Sequence, residues 1–360
     1  MKFVHMADLH LDAQFTNLTR ENHLGELRRL EQREALKNVI QYCKENEIEL
    51  LFISGDLYEQ NYIRKTTIEY INKLFAEIPN TKIFIAPGNH DPYIKNSFYY
   101  NYSWNENVKI FKGEIEKYSY KNCNIYGYGF TDFYLERNNQ TEIKIDENDK
   151  INILITHGEL NASDLSEKNY NPLSEKQLEK SNFDYIALGH IHKPYYKEKE
   201  LQKIVYPGSL ISLGFDEQGE HGMIVGEAEK DKFKIKFIPI DKRSFKEILI
   251  DISEIYSKEE LIEKINEIEI DINEFVEIVL IGKRHFEINK NEIYKLINNK
   301  NILKIKNETK INYNLEEIAK ENNLKGIFVR RMLKKCEENE KAKEEIEKAI
   351  EIGLDAILSK

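Results

Sequence analysis

Cysteine is scarce in this chain of 360 residues, with single copies at Cys43, Cys123 and Cys336. The three are far apart, odd in number and never in a Cys-x-x-Cys spacing, which argues against a disulfide framework and against a thiolate metal site. Long apolar runs are also missing, because no stretch approaches the roughly 20 residues that a helix needs to cross a bilayer. The first residues lead directly into a strand-like segment without a signal-peptide pattern. We therefore expect a cytoplasmic protein with no membrane partner.

Positive charge is in short supply as well. The chain has 53 lysines and arginines against 63 aspartates and glutamates, which gives a formal net charge of −10. This balance argues against general affinity for polyanions, so any contact with nucleic acid must come from a local basic patch. The hydrophobic fraction of 41% and the charged fraction of 32% are typical of a globular protein, and the length allows more than one domain.

The pattern of residues 1–243 is typical of a layered α/β domain, because short apolar runs alternate with segments of helical period. One helix is predicted from an apolar face made of Leu36, Val39, Ile40 and Cys43. A later helix is expected to begin at Ser174, with Gln177 three residues on. Further strands follow at short spacing before residue 243. Two sheets packed face to face, with helices outside them, would fit this pattern.

The remaining residues predict two further domains. Residues 244–312 alternate strand and helix patterns and carry no catalytic-looking cluster, which indicates a small α+β cap or binding domain. Residues 313–360 are expected to be helical and to bind a partner, with a break near residues 322–326. Their apolar stripe consists of Ile346, Ile350, Leu354 and Ile357. Such a stripe either folds back on the protein's own core or docks on a partner, and both alternatives stay open.

Six short blocks of metal-seeking residues follow one another within about 190 residues of the first domain. They are Asp8-x-His10, Gly55-Asp56, Gly88-Asn89-His90-Asp91, His157-Gly158, Gly189-His190 and His192. Most blocks come directly after a short apolar run. Because side chains at the ends of adjacent buried strands converge on one edge of a sheet, the blocks are expected to form one site. A lone strand-end Asp or buried His is more often structural, but chance does not explain this ordered set.

The residue types in the blocks indicate a two-metal site. Carboxylate, amide and imidazole donors without a thiolate suit Mn²⁺, Fe²⁺ or Zn²⁺ better than Ca²⁺ or structural zinc. The candidate ligands are Asp8, His10, Asp56, Asn89, His157, His190 and His192. This set is too large for one ion and suits two ions that share Asp56. Two metals roughly 3.5–4 Å apart can clamp a phosphate and lower the pKa of a water molecule until hydroxide forms at neutral pH.

Spacing within the blocks supports these roles. Asp8 and His10 are two residues apart, so in extended backbone both side chains would leave the same face, and His190 and His192 repeat the arrangement. His90 is not needed as a ligand and is suited to protonate the leaving oxygen. Asp91, next in the chain, is the candidate that would fix the tautomer of His90 and raise its basicity.

The set of blocks resembles the calcineurin-like metallophosphoesterase superfamily, whose pattern of DxH, GD, GNH(D/E), H and GHxH is matched throughout. The resemblance covers residues 1 to about 240 and implies a two-sheet α/β sandwich. It also implies a ligand assignment, in which Asp8, His10, Asp56 and His192 hold one ion and Asp56, Asn89, His157 and His190 hold the other. His90 would be the general acid.

A narrower resemblance rests on the segments 7–12, 189–193 and 206–209, together with the cap. These are similar to the SbcD-type DNA-repair exonucleases, particularly their YhaO-like branch. The resemblance implies Mn²⁺, a DNA substrate, an SMC-like coiled-coil ATPase as partner and a homodimer as one option. Many of these nucleases carry a second His three residues after the bridging Asp, where this chain has Glu59. A phosphatase or phosphodiesterase acting on small nucleotides, and a non-catalytic scaffold, remain as alternatives.

Overall fold

The structure of the protein is a computed structural model that describes residues 1–15, 22–135, 145, 149–161, 170–196, 202–230, 232–338 and 342–358. The chain divides into two compact units, Met1–Lys246 and Glu247–Lys360. The first unit ends close to the expected boundary at residue 243. In this division the cap and the helical segment together form the second unit. No helix among the described residues is both long enough and apolar enough to cross a membrane.

The strands of the first unit form two sheets. Along the chain they are β1 (Lys2–Met6), β2 (Leu50–Ile53), β3 (Lys82–Ile85), β4 (Val108–Ile110), β5 (Glu116–Tyr120), β6 (Cys123–Gly127), β7 (Ile151–His157), β8 (Tyr185–Gly189), β9 (Ile204–Val205), β10 (Gly222–Glu229) and β11 (Lys232–Pro239). The helices are α1 (Asn22–Glu45), α2 (Lys65–Ala76), α3 (Phe98–Asn101) and α4 (Glu175–Lys180). The sheet orders are β11-β10-β1-β2-β3-β4 and β5-β6-β7-β8-β9.

Alternating burial along the strands explains why the two sheets stack. On one face of the first sheet, Val4 and Leu51 pack against α1 and α2. On the other face, Phe3 and Phe52 pack against Ile153 and its neighbours in the second sheet. The outer face of the second sheet carries α4, whose Leu178 joins a third apolar cluster. The predicted α/β sandwich flanked by helices is therefore confirmed.

Two helices follow the sequence pattern closely. The apolar face predicted for α1 is buried, with Leu36 and Val39 fully enclosed. Ser174 caps α4, and its side chain accepts a hydrogen bond from the backbone N–H of Gln177. The buried face of α1 and the N-cap of α4 are therefore those that the sequence pattern predicted.

Parallel strand ends place the candidate site. β1, β2, β3 and β4 are parallel neighbours in the first sheet, and β6, β7, β8 and β9 are parallel neighbours in the second. Five of these strands, namely β1, β2, β3, β7 and β8, end at or just before a metal-seeking block. Both sheets therefore contribute loops to one rim.

The second unit has its own sheet and core. Its strands are β12 (Ser244–Asp251), which begins just before the division, β13 (Glu274–Ile281), β14 (Lys283–Arg284), β15 (Ile302–Asn307) and β16 (Lys310–Ile311). Its helices are α5 (Lys258–Asn266), α6 (Lys290–Leu296), α7 (Leu315–Lys320), α8 (Leu324–Glu338) and α9 (Lys343–Leu358). The main sheet has the order β12-β13-β15, and Ile278, Ile305 and Leu261 lie in its core.

The apolar stripe of α9 packs against α8 within the second unit. Ile350 and Leu354 of α9 are fully buried and form a cluster with Val329 of α8. Phe328 packs against the same cluster. Of the two alternatives that the sequence left open for this stripe, the structure supports packing on the protein's own helices.

Candidate metal centre

The backbone at the site adopts conformations that are rare for residues with side chains. Asp8, His10 and Asp56 have positive φ angles of 52°, 50° and 52°, and His190 has a φ of 105°. Hydrogen bonds from the N–H of Asp8 to Gly55 O (3.1 Å) and from the N–H of His10 to Asp56 O (2.9 Å) hold the first two loops together. Such strain is concentrated at functional sites. The expectation that Asp8 and His10 project from extended backbone is wrong, because β1 ends at Met6 and both residues turn back in left-handed conformation.

Glycine is required at two of these turns. Gly55 has a φ of 89°, which favours glycine, and a Cβ there would overlap the ring of His157. At Gly88 a Cβ would overlap Asp56 Oδ1 and lie 2.8 Å from the Asp56 backbone nitrogen. The loops after β2 and β3 can therefore meet only where a side chain is absent.

One group of candidate ligands consists of Asp8, His10 and His192. The Nε2 atoms of His10 and His192 are 3.2 Å apart, and His192 Nε2 lies 3.9 Å from Asp8 Oδ1. One donor atom from each of the three residues lies within 4.8 Å of the others. Asp8 also accepts hydrogen bonds from the N–H of His190, at 3.1 Å from each carboxylate oxygen. The group therefore draws the loops after β1 and β8 together.

A second group lies on the other side of Asp56. His157 Nε2 is 3.3 Å from Asp56 Oδ2 and 3.1 Å from Asn89 Oδ1. The rings of His157 and His190 meet edge to face with centroids 5.2 Å apart. Asp56 Oδ2 is also 3.7 Å from His10 Nε2. Asp56 thus lies between the two groups, as a bridging ligand requires.

The pKa values at the site depend on two opposing effects, which are burial and the charge of neighbouring carboxylate and imidazole groups. Burial alone would raise the pKa of Asp56, but His157 and His10 outweigh it and hold the pKa well below its usual range. Burial lowers the pKa of His157, whereas the carboxylate of Asp56 raises it to about 9. Burial and the neighbouring His157 lower the pKa of His190 to about 3. The carboxylate of Asp56 and the imidazole of His157 thus stabilise each other's charged form against the effect of burial.

His90 has a different carboxylate partner from the one expected. Its Nδ1 lies 3.0 Å from Glu59 Oε2, while the other oxygen of Glu59 lies 2.8 Å from His10 Nδ1. Burial would lower the pKa of His90, but the hydrogen bond to Glu59 and the charge of Asp56 raise it to about 9. The pairing with Glu59 leaves Nε2 for a substrate, and the side chain of His90 is 44% exposed. Glu59 therefore takes the orienting role that the sequence assigned to Asp91.

Asp91 instead holds the turns of the site together. Its Oδ1 accepts hydrogen bonds from the backbone N–H groups of Asp56 (3.0 Å) and Gly88 (2.7 Å). Its Oδ2 accepts from the N–H of Leu57 and the hydroxyl of Tyr99, both at 2.7 Å. Burial raises the pKa of Asp91 to about 7, although the four donors favour the ionised form. With both oxygens occupied by these donors, Asp91 supports backbone geometry, while its charge still helps to raise the pKa of His90, as predicted.

The structure brings all of the predicted site residues to one rim and adds neighbours that the sequence did not predict. Tyr170 packs on His190 with ring centroids 5.2 Å apart. Glu217 lies 2.6 Å from His192 Nδ1. Glu59 could have been found from its position three residues after Asp56, but no local pattern marks Tyr170 or Glu217. Among the described residues, every group of His and carboxylate suited to a metal lies in the first unit.

The donor set fits two divalent ions. Three overlapping groups of His and Asp lie at the rim among the described residues, two of them include Asp56, and none includes a thiolate. Asp8, His10 and His192 would hold one ion, whereas Asn89, His157 and His190 would hold the other. Nδ1 of His10, of His157 and of His192 has a carboxylate or carbonyl acceptor at 2.8, 2.8 and 2.6 Å. This arrangement leaves Nε2 of each ring free for a metal, as is usual for metal-binding histidines.

The chain is similar in sequence or in structure to several known proteins. The uncharacterized metallophosphoesterase YhaO of Bacillus subtilis (strain 168) is 27% identical over 234 residues, which cover 62% of this chain and 56% of that protein. The chain thus spans about half the length of this curated relative. The crystal structure of TT1561 of Thermus thermophilus has 11% identity and a TM-score of 0.41, covering 66% of this chain and 98% of that one. A dimetal phosphatase from Danio rerio has 10% identity and a TM-score of 0.40, covering 66% of this chain and 95% of that one.

The sequence pattern of one family covers more than half of the chain. The model of the calcineurin-like phosphoesterases matches residues 1–194, which include every predicted ligand and His90. Together with the two-sheet topology, this match settles the family without support from the distant structures. The chain belongs to the calcineurin-like phosphoesterase family, and the matched residues include its candidate metal-binding groups.

Proposed function

We propose that the protein is a Mn²⁺-dependent DNA exonuclease of the SbcD and YhaO type, which acts in the cytoplasm with an SMC-like ATPase. The observation that carries the substrate class is the pairing of His90 with Glu59 at 3.0 Å. This carboxylate raises the pKa of His90, which burial alone would lower, to about 9 and keeps the ring protonated at neutral pH. An acid held in this way is needed when the leaving group is an alkoxide, such as the deoxyribose oxygen of a DNA phosphodiester.

The residues of the rim have separate roles in the proposed hydrolysis. When bound, the two ions would polarise the phosphate and lower the pKa of an attacking water molecule. Asp56 holds the two ligand groups at a fixed separation, and the left-handed turns at Asp8 and His10 keep their side chains in place. His90 would donate a proton from Nε2 to the leaving oxygen while Glu59 keeps the ring oriented through Nδ1.

The second unit supports a macromolecular substrate. It adds a separate folded sheet and helices to a first unit that already contains every candidate metal group among the described residues. A small nucleotide could be hydrolysed without such an addition. On α8, Leu324 and Ile327 are 69% and 44% exposed although they are apolar. They lie three residues apart on the helix, and we propose that they contact the ATPase.

The test compares leaving groups. End-labelled duplex DNA, single-stranded DNA and an aryl phosphodiester are incubated with the protein and Mn²⁺, with and without the ATPase. We expect His90→Ala to slow DNA cleavage by about 10²–10⁴-fold, the usual contribution of a general acid. The aryl diester should be affected far less, because its leaving oxygen does not need a proton.

Other outcomes contradict the proposal. If the wild-type protein cleaves only the aryl diester or small nucleotides even with the ATPase present, the substrate is a small phosphodiester. If no substrate is cleaved with any divalent metal, the scaffold alternative replaces the enzyme. For the partner, Leu324→Glu should reduce ATPase co-purification, whereas Leu249→Glu, at another exposed leucine of the second unit, should not.

A further inference from the structure

A hydrogen-bonded loop backs one ligand of the proposed metal site. It runs from Ser209 to His221, between β9 and β10, and its central acid is Glu217. Glu217 Oε1 lies 2.6 Å from His192 Nδ1, and its side chain is only 10% exposed. The loop has no metal-seeking pattern and plays no part in the proposed proton transfer. Its position behind His192 nevertheless gives it a direct connection to the site.

The second carboxylate oxygen of Glu217, Oε2, is also hydrogen-bonded. Oε2 accepts hydrogen bonds from Ser209 Oγ and from the backbone N–H of Leu213, both at 3.0 Å. Ser209 Oγ also lies 2.8 Å from Nδ1 of the buried His221, whose Nε2 lies 3.0 Å from the carbonyl of Glu217. The carboxylate is therefore fixed at both oxygens before any ion binds.

The base of the loop is tied to a buried ion pair. Ser212 Oγ donates to the carbonyl of Glu217 at 2.9 Å, and the N–H of Ser212 donates to Asp241 Oδ2 at 2.8 Å. Arg28, which is fully buried, donates to Asp241 and to the carbonyl of Ser212. The position of Glu217 is thus set by the core of the first unit rather than by the loop alone.

We infer that Glu217 is the positioning residue of His192: it fixes the Nδ1–H tautomer and the ring orientation, and so sets the affinity of the ion that His192 binds. The physical reason is that a metal-binding imidazole must present one unprotonated nitrogen, and a carboxylate on the other nitrogen selects that form and raises its basicity. This inference depends on the proposed two-metal site. It adds a residue that touches neither the metal nor the substrate.

The experiment measures Mn²⁺ binding to the full-length protein by calorimetry. We expect two sites in the wild type, and in Glu217→Gln an affinity 10–100-fold lower at one site with the other site unchanged. Glu220→Gln removes the same charge from an exposed position of the same loop and should bind both ions as the wild type does. Hydrolysis of the aryl diester by Glu217→Gln should need more Mn²⁺ and recover at saturation.

A double-mutant cycle separates positioning from a general structural effect. In a His192→Ala background, Glu217→Gln should cause no further loss of Mn²⁺ affinity, because its only path to the ion has been removed. A further loss in that background, or wild-type affinity at both sites in Glu217→Gln, would overturn the inference. Because a Gln amide keeps only one acceptor oxygen, Glu217→Gln should also unfold at a lower temperature in EDTA, whereas Glu220→Gln should not. The cycle distinguishes this metal-independent loss from the loss of Mn²⁺ affinity. If the wild type itself binds no Mn²⁺, the two-metal proposal fails first.

Discussion

Replacing Asp91 with Asn should destabilise the first unit more than it affects proton transfer. Each carboxylate oxygen of Asp91 accepts two hydrogen bonds, three of the four from backbone N–H groups that cannot turn away. An Asn amide keeps one acceptor oxygen and turns an NH₂ group toward the other pair of donors. A buried donor left without an acceptor costs about 1–3 kcal/mol. Where the amide faces Leu57 and Tyr99, the Tyr99 hydroxyl can turn to accept, so one or two donors are stranded and the expected loss in the free energy of unfolding is roughly 2–4 kcal/mol.

A matched variant calibrates this estimate. Tyr99→Phe removes a single donor and leaves Asp91 Oδ2 with the N–H of Leu57, so no buried group is stranded. Its expected cost is about 1.5 kcal/mol, near the lower end for a hydrogen bond to a charged group. Glu59→Gln disturbs two pairs, one with the exposed His90 and one with the buried His10, and its expected cost is about 1–3 kcal/mol. Asp91→Asn, which disturbs four hydrogen bonds, should therefore be the most destabilising of the three variants.

The assay is urea unfolding in EDTA followed by the fluorescence of Trp104, the single tryptophan of the chain. Trp104 reports on the first unit alone, because it packs against Phe75 and Tyr99 with ring centroids 6.1 and 5.9 Å away. The reasoning would be refuted by an Asp91→Asn protein that unfolds like the wild type yet hydrolyses DNA as slowly as His90→Ala. Asp91 would then orient His90 after all.

Three further predictions concern buried groups. Burial lowers the pKa of His5 to about 3. Below pH 6.5, His5 is therefore protonated in the unfolded chain but stays neutral in the folded protein. Between pH 7 and pH 5 the urea-derived free energy of unfolding should therefore fall by about 2 kcal/mol more in the wild type than in His5→Gln. Gly88→Ala should reduce kcat on the aryl diester by about 100-fold, because its Cβ would displace Asp56. Arg28→Met should cost about 3–5 kcal/mol in the Trp104 assay by leaving Asp241 buried without the Arg28 cation. Asp241→Leu in the same protein should restore only part of this loss, because the backbone N–H groups of Ser212 and Arg243 lose their acceptor.

The rim of the site could be predicted because chain order and strand order determine it together. Most of the metal-seeking blocks follow a short apolar run, and parallel strands end on one side of their sheet. Those two facts bring Asp8, Asp56 and His157 together without any knowledge of side-chain direction. The same reasoning predicted the face of α1, since helical period alone decides which residues are buried.

Side-chain partners could not be predicted in the same way. Asp91 is adjacent to His90 in the chain, but its carboxylate turns back onto the N–H groups of its own turn, and Glu59 reaches His90 from another loop. The backbone at Asp8 and His10 is left-handed, which two-residue spacing cannot reveal. Glu217 reaches His192 across 25 residues of chain, a pairing that depends on how the loop before β10 folds.

Anomalous scattering from crystals grown with Mn²⁺ tests the two-metal account most directly. The account predicts two peaks roughly 3.5–4 Å apart, the usual separation of such metal pairs. Asp56 should lie between them, with His10 and His192 at one peak and His157 with Asn89 at the other. A single peak, or two peaks of which neither contacts Asp56, would contradict the account.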